Sequence, residues 1–109
     1  MTGLEAFGEL EMRVGRISRA EPNERARKPS YRLWIDFGPE GERRSSAQLV
    51  ALYSPAELVG RLVIAAMNLG VRNIAGFESE VLVLGLPNAE GHVVLLAPER
   101  AVPLGGRVY

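Results

Sequence analysis

Hydrophobic and polar residues alternate along several short segments of the chain, which is the pattern of half-buried β-strands. The clearest example runs from Tyr31 to Phe37, where every second residue is apolar and the residues between are Arg32, Trp34 and Asp36. The sequence Gly-Pro-Glu-Gly at 38–41 is typical of a turn. We therefore predict a strand at 31–37 and an antiparallel return at 43–50.

Similar patterns predict further strands at 12–20, 61–68, 80–86 and 92–97, a short strand at 107–109, and a helix at 4–10. In the first strand Val14 and Ile17 are three residues apart, which breaks the alternation. A β-bulge at Gly15 would turn both inward, as small barrels often do. The segments 22–29 and 68–79 are predicted to be polar loops.

The sequence Ser-Pro-Ala-Glu at 54–57 predicts one short helix, with Ser54 as N-cap, Glu57 completing a capping box, and Gly60 ending it. Three strands, a short helix and two strands, in that order, form the plan of the OB-fold. We predict an all-β protein in one domain over 1–109, and a five-stranded Greek-key OB-fold barrel with short helices and terminal extensions fits this order of elements. Other small β-barrels would give a similar pattern.

Three predicted strands are apolar on both faces, at 62–67, 81–84 and 93–96. An isolated antiparallel barrel would instead be polar on the outside. The outer apolar residues need a cover, and a second subunit would provide one, so we predict a homodimer. The alternative is that the N-terminal helix and the C-terminal tail cover them.

The formal net charge is zero, which argues against a polybasic nucleic-acid binder. The charges are unevenly distributed, however, because 13–32 holds seven Arg and Lys residues against only Glu21 and Glu24. This segment is either a footprint for phosphate groups or a solvated strand and loop.

The sequence gives little support for catalysis or metal binding. The chain has no Cys and one His, His92, which we place beside a turn without a nucleophile motif. We therefore expect no enzyme activity, no catalytic residue, no metal and no cofactor. The N-terminal residues have no signal-peptide pattern and no apolar run is long enough to span a bilayer, so we expect a cytoplasmic protein without membrane insertion.

Two polar segments could together form a binding patch. The segment 43–48 combines bases, hydroxyls and an amide on one predicted strand, and 68–79 does so in a loop. In an OB barrel both segments line one groove, where such groups read bases and phosphates, although 43–48 could also be a solvated edge strand. The predicted RNA-binding residues are Arg32, Arg44, Ser45, Ser46, Gln48, Asn68, Arg72, Asn73, Ser79 and Glu80. Among the aromatic residues, Trp34 would stack a base, fill an interface or be partly buried. Phe77 would anchor the loop, with base stacking as the alternative.

Four segments carry a resemblance to a known family: Met-Arg-Val-Gly-Arg-Ile at 12–17, Leu-Trp-Ile-Asp-Phe-Gly at 33–38, Ser-Ser-Ala-Gln at 45–48, and Ile-Ala-Gly-Phe-Glu-Ser-Glu-Val-Leu-Val-Leu-Gly at 74–85. The chain resembles the tRNA-binding OB-fold domains found at the C-terminus of many bacterial methionyl-tRNA synthetases, and within that group the free-standing CsaA-type export chaperones. Val81 and Leu82 depart from the Gly and Met of the synthetase domains. Gly70-Val71 and Asn73 make the loop less basic than in CsaA-like chains.

The resemblance implies two functions. One is tRNA binding, with Asn68, Arg72 and Ser79 in contact with the RNA. The other is a chaperone role, in which a homodimer binds unfolded preproteins and the translocation motor SecA. A third hypothesis is that the chain is a tRNA-binding module that assists an aminoacyl-tRNA synthetase in trans.

Overall fold

The structure is a computed structural model that describes residues 1–109, which form two short helices, one 3₁₀ turn and nine strands. The helices are α1 (Gly3–Glu9) and α2 (Pro55–Leu58), and the 3₁₀ turn is Gly38–Glu40. The strands are β1 (Met12–Pro22), β2 (Tyr31–Asp36), β3 (Glu42–Ala47), β4 (Leu62–Ala66), β5 (Arg72–Ile74), β6 (Phe77–Ser79), β7 (Leu82–Val83), β8 (Gly85–Pro87) and β9 (Val93–Leu95). Neither helix is of a length and apolarity that would carry it across a membrane.

Five strands form an antiparallel sheet in the order β3-β2-β1-β4-β7. The sheet curls until its edges meet, where the amides of Glu80 and Val81 donate to the carbonyl of Arg44 at 2.8 and 3.3 Å. The result is a nearly closed five-stranded barrel with α2 between its third and fourth strands. This confirms the predicted all-β OB-fold.

The barrel interior is filled by the apolar face of each strand. Ile17, Leu33, Ile35, Phe37 and Val63 have no solvent exposure. The alternation predicted for 31–37 is confirmed, because β2 buries its odd-numbered residues and leaves Arg32 and Trp34 half-buried on the outside.

The first strand contains an irregularity, but it does not lie at Gly15. Gly15 pairs regularly with Val63, and the register with β2 shifts between Ile17 and Arg19. The predicted position of the bulge was therefore wrong. Gly15 is glycine for another reason: a Cβ there would lie 2.6 Å from Ile35 Cγ2 and 2.7 Å from Phe37 Cε1.

The segment 68–79 is not the loop that we predicted, because it contains the hairpin β5–β6. Its two-residue turn has positive φ at both positions, 52° at Ala75 and 85° at Gly76. This is the backbone of the turns that join tightly twisted strands, for which alanine is an unusual residue.

Several other predicted strands end earlier or are interrupted. The strand predicted at 43–50 stops at Ala47, and the one at 80–86 is split at Leu84 into β7 and β8. The amide of Leu84 donates to the Ile64 carbonyl, and the Leu84 carbonyl accepts from the Leu96 amide. Leu84 is therefore hydrogen-bonded to β4 through its amide and to the residue after β9 through its carbonyl. The strand predicted at 107–109 is reduced to a single bridge between Arg107 and Arg13.

Local capping at α2 follows the prediction. The Glu57 amide donates to the Ser54 hydroxyl at 3.3 Å, and the Ser54 amide donates to the Glu57 carboxylate at 3.1 Å. The hydrogen bond that the Ser54 amide donates to the carboxylate, together with the nearby Ser54 hydroxyl, holds the pKa of Glu57 below its usual value.

Arg13 holds the C-terminal tail against β1. Its Nε donates to Glu11 at 2.7 Å, and its Nη1 donates to the Gly105 carbonyl at 2.7 Å. The Arg13 hydrogen bond lowers the pKa of Glu11, so what this pair contributes to stability is present at neutral pH and is lost as the pH falls through the folded-state pKa.

Candidate functional site

A cleft of about 1040 Å³ lies on the barrel between three segments. They are the β1–β2 loop at 23–30, the end of β3 with the residues after it, and the β5–β6 hairpin. In OB-folds the loop between the first two strands and the loop between the fourth and fifth frame the ligand groove. The β5–β6 hairpin occupies that second loop, so the cleft lies where OB-folds bind their ligands.

The cleft is strongly basic although the chain as a whole is neutral. Four bases line it, Arg25, Arg27, Lys28 and Arg72, and no acidic residue does. None of the four takes part in a salt bridge. Their charges are therefore available to an anionic ligand.

Below the basic rim the cleft is apolar. Leu49 and Val81, which are 3% and 4% exposed, line it together with the partly buried Val83 and Val93. Ser46, Gln48, Asn73 and Ser79 add hydroxyl and amide groups. The site thus combines positive charge at its edge with an apolar floor and a few hydrogen-bonding groups, as ligand sites commonly do.

Asn23 connects the two walls of the cleft. It is 4% exposed, and its Oδ1 accepts from the Arg25 amide and from Arg32 Nη2, both at 3.3 Å. Its Nδ2 donates to the Ile74 carbonyl at 3.3 Å, in the β5–β6 hairpin. This side chain fixes the basic loop against the hairpin. An Asn that follows a predicted strand is the signal that could have found it.

Arg44 and Glu80 form an ion-paired cluster behind the cleft. Arg44 Nε lies 3.1 Å from Glu80 Oε1, and its Nη2 lies 3.1 Å from Glu78 Oε2. Glu80 also accepts the Arg44 amide at 3.0 Å. The cluster closes the barrel seam, and the charge of Arg44 is already neutralised by two carboxylates.

The aromatic side chains on the outer face of the sheet contact one another. Trp34 and Phe77 meet edge to face with ring centroids 5.3 Å apart, and the Arg19 guanidinium lies 4.3 Å from the Trp34 ring centre. Phe77 is only 6% exposed, so it anchors the hairpin as predicted, and Trp34 is partly buried. No aromatic residue lines the cleft.

The structure brings half of the ten predicted binding residues into the cleft: Ser46, Gln48, Arg72, Asn73 and Ser79. Arg32 lies beside it under Asn23. Ser45 does not face it, because its side chain is fully buried in the barrel. Asn68 instead joins α1 to the barrel, accepting from the Glu11 amide at 2.9 Å and donating to the Glu9 carbonyl at 2.8 Å.

The prediction missed three cleft bases, Arg25, Arg27 and Lys28. They belong to the basic segment 13–32 noted in the sequence, but the segment 22–29 was predicted only as a polar loop. The composition shows that this segment is positively charged, but it does not show that the segment contacts the hairpin. That contact depends on the Asn23 hydrogen bonds and on the packing of Arg25 Nη1 beside Gly76.

Comparison with known proteins gives consistent matches along the chain. A family model described as "Putative tRNA binding domain" matches residues 12–107. The methionine–tRNA ligase of Methanosarcina mazei is 33% identical over 104 residues, which cover 95% of this chain and 14% of the ligase. The chain spans between 14% and 16% of the first such ligases that it matches.

Two solved structures match the whole chain. The chaperone CsaA from Bacillus anthracis is 44% identical with a TM-score of 0.91, and the match covers 100% of this chain and 99% of that one. The CsaA chaperone protein from Picrophilus torridus is 38% identical with a TM-score of 0.90, and the match covers 100% of both chains.

Proposed function

Because the chain belongs to the family of tRNA-binding domains, we propose that it binds tRNA, without catalysing a reaction, in the cleft between the β1–β2 loop and the β5–β6 hairpin. The four unpaired bases around that cleft are the observation that carries this proposal. Phosphate contacts supply most of the affinity of sequence-independent RNA binding, and guanidinium groups suit them because they donate in pairs.

The residues in contact with the RNA are then the cleft bases, with Ser46, Gln48, Asn73 and Ser79 providing hydrogen bonds. Arg32, Arg44 and Glu80 position the hairpin and the barrel seam rather than the ligand. The Ser79 hydroxyl already accepts the Ser46 amide at 3.0 Å, so it orders this edge of the cleft as well. Ser45 and Asn68 do not contact the RNA in this arrangement, because Ser45 is buried in the barrel and Asn68 joins α1 to the barrel.

We expect Arg72→Ala to weaken tRNA binding about tenfold, because it removes one charged contact worth about 1.4 kcal/mol. The salt dependence should fall with it, by about 0.7–0.9 in the slope of log K against log salt concentration. Fluorescence anisotropy with labelled tRNA across a salt series measures both quantities.

Arg100→Ala is the matched control for Arg72→Ala. Its side chain is 89% exposed, outside the cleft, beside Glu99. Equal losses in the two variants would contradict a site in the cleft, and an affinity that does not change with salt would contradict phosphate binding.

A second function involves the apolar outer surface. Leu86 and Val94 are 58% and 40% exposed and lie opposite each other in the β8–β9 pair. Neither α1 nor the tail covers them, and α1 itself exposes Leu4 and Phe7. A second copy of the chain would cover this surface, so the chain assembles as a homodimer.

The dimer acts as a CsaA-type protein-export chaperone in the cytoplasm, with unfolded preproteins as clients and SecA as a further partner. Two solved CsaA chaperones that match the whole chain support this role. The alternative is a module that presents tRNA to an aminoacyl-tRNA synthetase in trans, which the similarity to methionine–tRNA ligases supports. Co-purification with a synthetase rather than with SecA would favour the alternative.

We expect Leu86→Glu to raise the dissociation constant of the dimer at least about thirtyfold, because a carboxylate would have to leave water, at a cost of about 2 kcal/mol. Analytical ultracentrifugation should show the wild type at twice the chain mass of 11.9 kDa and the variant near that mass. The variant should also suppress the aggregation of a chemically unfolded client protein less well.

Val59→Glu is the control, since Val59 is 49% exposed at the end of α2. A wild type that sediments as a single chain at micromolar concentration would contradict the dimer. A dimer that leaves client aggregation unchanged would contradict the chaperone role alone.

A further inference from the structure

The cleft floor indicates which part of an RNA enters it. We infer that the cleft takes an unpaired nucleotide, with its base on the aliphatic floor and its phosphates at the basic rim. This inference rests on the proposed tRNA binding. RNA that offers an unpaired segment should then bind in preference to continuous duplex.

The first argument is the chemistry of the floor. A duplex presents phosphates, sugars and hydroxyl groups, while its bases are stacked inside and cannot reach an aliphatic surface. The basic rim alone would serve a duplex, but the floor formed by Leu49, Val81, Val83 and Val93 would then face ribose and water. An unstacked base has an apolar face that matches it. At about 1040 Å³ the cleft has room for such a group.

The second argument concerns stacking. OB-folds that bind single strands commonly stack bases on aromatic rings. Here Trp34 contacts the Arg19 guanidinium over its ring and Phe77 in an edge-to-face pair, and neither aromatic ring lines the cleft. A base in the cleft is therefore held between aliphatic side chains and the planar guanidinium groups of Arg25 and Arg27. Guanidinium planes also stack on unpaired bases.

The third argument is a hydroxyl without a partner. Ser30 lines the cleft and is 5% exposed, and its Oγ makes no hydrogen bond. Its carbonyl is used in accepting the Asn23 amide, so the residue is fixed in place. Buried polar side chains almost always have a partner. The polar edge of a base that enters beside Ser30 would supply one once the atoms that cover the Oγ, which has less than 1 Å² of accessible surface, move aside.

The test compares a labelled RNA of about eight nucleotides, a length within the range of one OB-fold, with the same RNA annealed to its complement. We expect the single strand to bind at least about tenfold more tightly than the duplex, because base contacts are added to phosphate contacts. Equal or tighter binding of the duplex would overturn the inference.

Two variants separate base contacts from charge. Val93→Thr replaces a floor methyl by a hydroxyl, and Ser30→Ala removes the unpartnered hydroxyl, which should cost the fold nothing. Both should weaken single-strand binding about threefold to fivefold and leave duplex binding unchanged. Ser30→Ala should also leave the thermal midpoint unchanged, whereas Val93→Thr should lower it, because Val93 packs against the core.

The two proposals fail differently. If Arg72→Ala weakens single-strand binding but Ser30→Ala and Val93→Thr do not, the RNA meets only the rim, and the base site is overturned while tRNA binding stands. If tRNA, single strand and duplex all fail to bind at low salt, the proposed function fails, and the base site fails with it.

Discussion

Replacing Arg25, Arg27, Lys28 and Arg72 together by glutamine is expected to weaken tRNA binding about a thousandfold at low salt. Glutamine keeps a hydrogen-bonding side chain, so each replacement should cost about 1 kcal/mol rather than the about 1.4 kcal/mol of Arg72→Ala, and the four together should cost about 4 kcal/mol. The salt dependence should also flatten, by about 3 in the slope of log K, because four fewer counterions are released. Filter binding or anisotropy across a salt series measures both effects.

A matched variant distinguishes local charge from net charge. Glutamine at four exposed arginines outside the cleft, Arg16, Arg61, Arg100 and Arg107, changes the net charge by the same amount. If the cleft is the site, this control keeps most of the affinity. Similar losses in both variants would mean that the RNA responds to overall charge and has no defined footprint on the chain.

Gly15→Ala is expected to lower the free energy of unfolding by about 3 kcal/mol. The added Cβ would lie between 2.6 and 2.8 Å from side-chain atoms of Ile35 and Phe37. Both residues are fully buried, so neither can move aside without disturbing the barrel core. Because small domains are stable by only about 5–15 kcal/mol, this single methyl group removes a large share of the total. Urea denaturation followed by circular dichroism measures the change.

Gly8→Ala provides the same chemical change in an open environment. Gly8 lies in α1, and no atom comes within 4 Å of the Cβ that it would gain. Alanine favours helix over glycine by about 1 kcal/mol, so this variant should be neutral or slightly stabilised. Equal stability of the two variants would contradict this prediction. It would show that Ile35 and Phe37 can move to accommodate the added methyl group at little cost.

Much of the barrel could be predicted because local signals and tertiary structure agree. The alternation through Tyr31–Phe37 predicts which residues of β2 are buried, and the capping residues Ser54 and Glu57 predict α2. The β5–β6 hairpin escaped prediction because its turn is Ala75-Gly76 rather than the Asn-Gly that marks such turns. The bulge was misplaced because a glycine in a strand indicates either a bulge or close packing, and only the positions of Ile35 and Phe37 decide between them.

The site could be predicted less well than the fold, and the reasons differ from residue to residue. Ser45 was grouped with its neighbours, although the two-residue period of a strand already places it on the opposite face from Arg44 and Ser46. The side-chain amide of Asn68 has the groups that a ligand contact needs, but it is already hydrogen-bonded to the backbone of Glu9 and Glu11. The contribution of the β1–β2 loop could not be seen, because it depends on a contact between segments about fifty residues apart, Asn23 with Ile74.

The contrast between a neutral chain and a cleft lined by four unpaired bases has a consequence for how an encounter begins. No acidic residue lines the cleft, so the chain concentrates positive charge at one place on its surface without carrying a net charge. Such a molecule is not drawn strongly to a polyanion from a distance, but it is turned as it approaches. Collisions that present the cleft are held longer than collisions that present another side, so orientation is selected during the encounter.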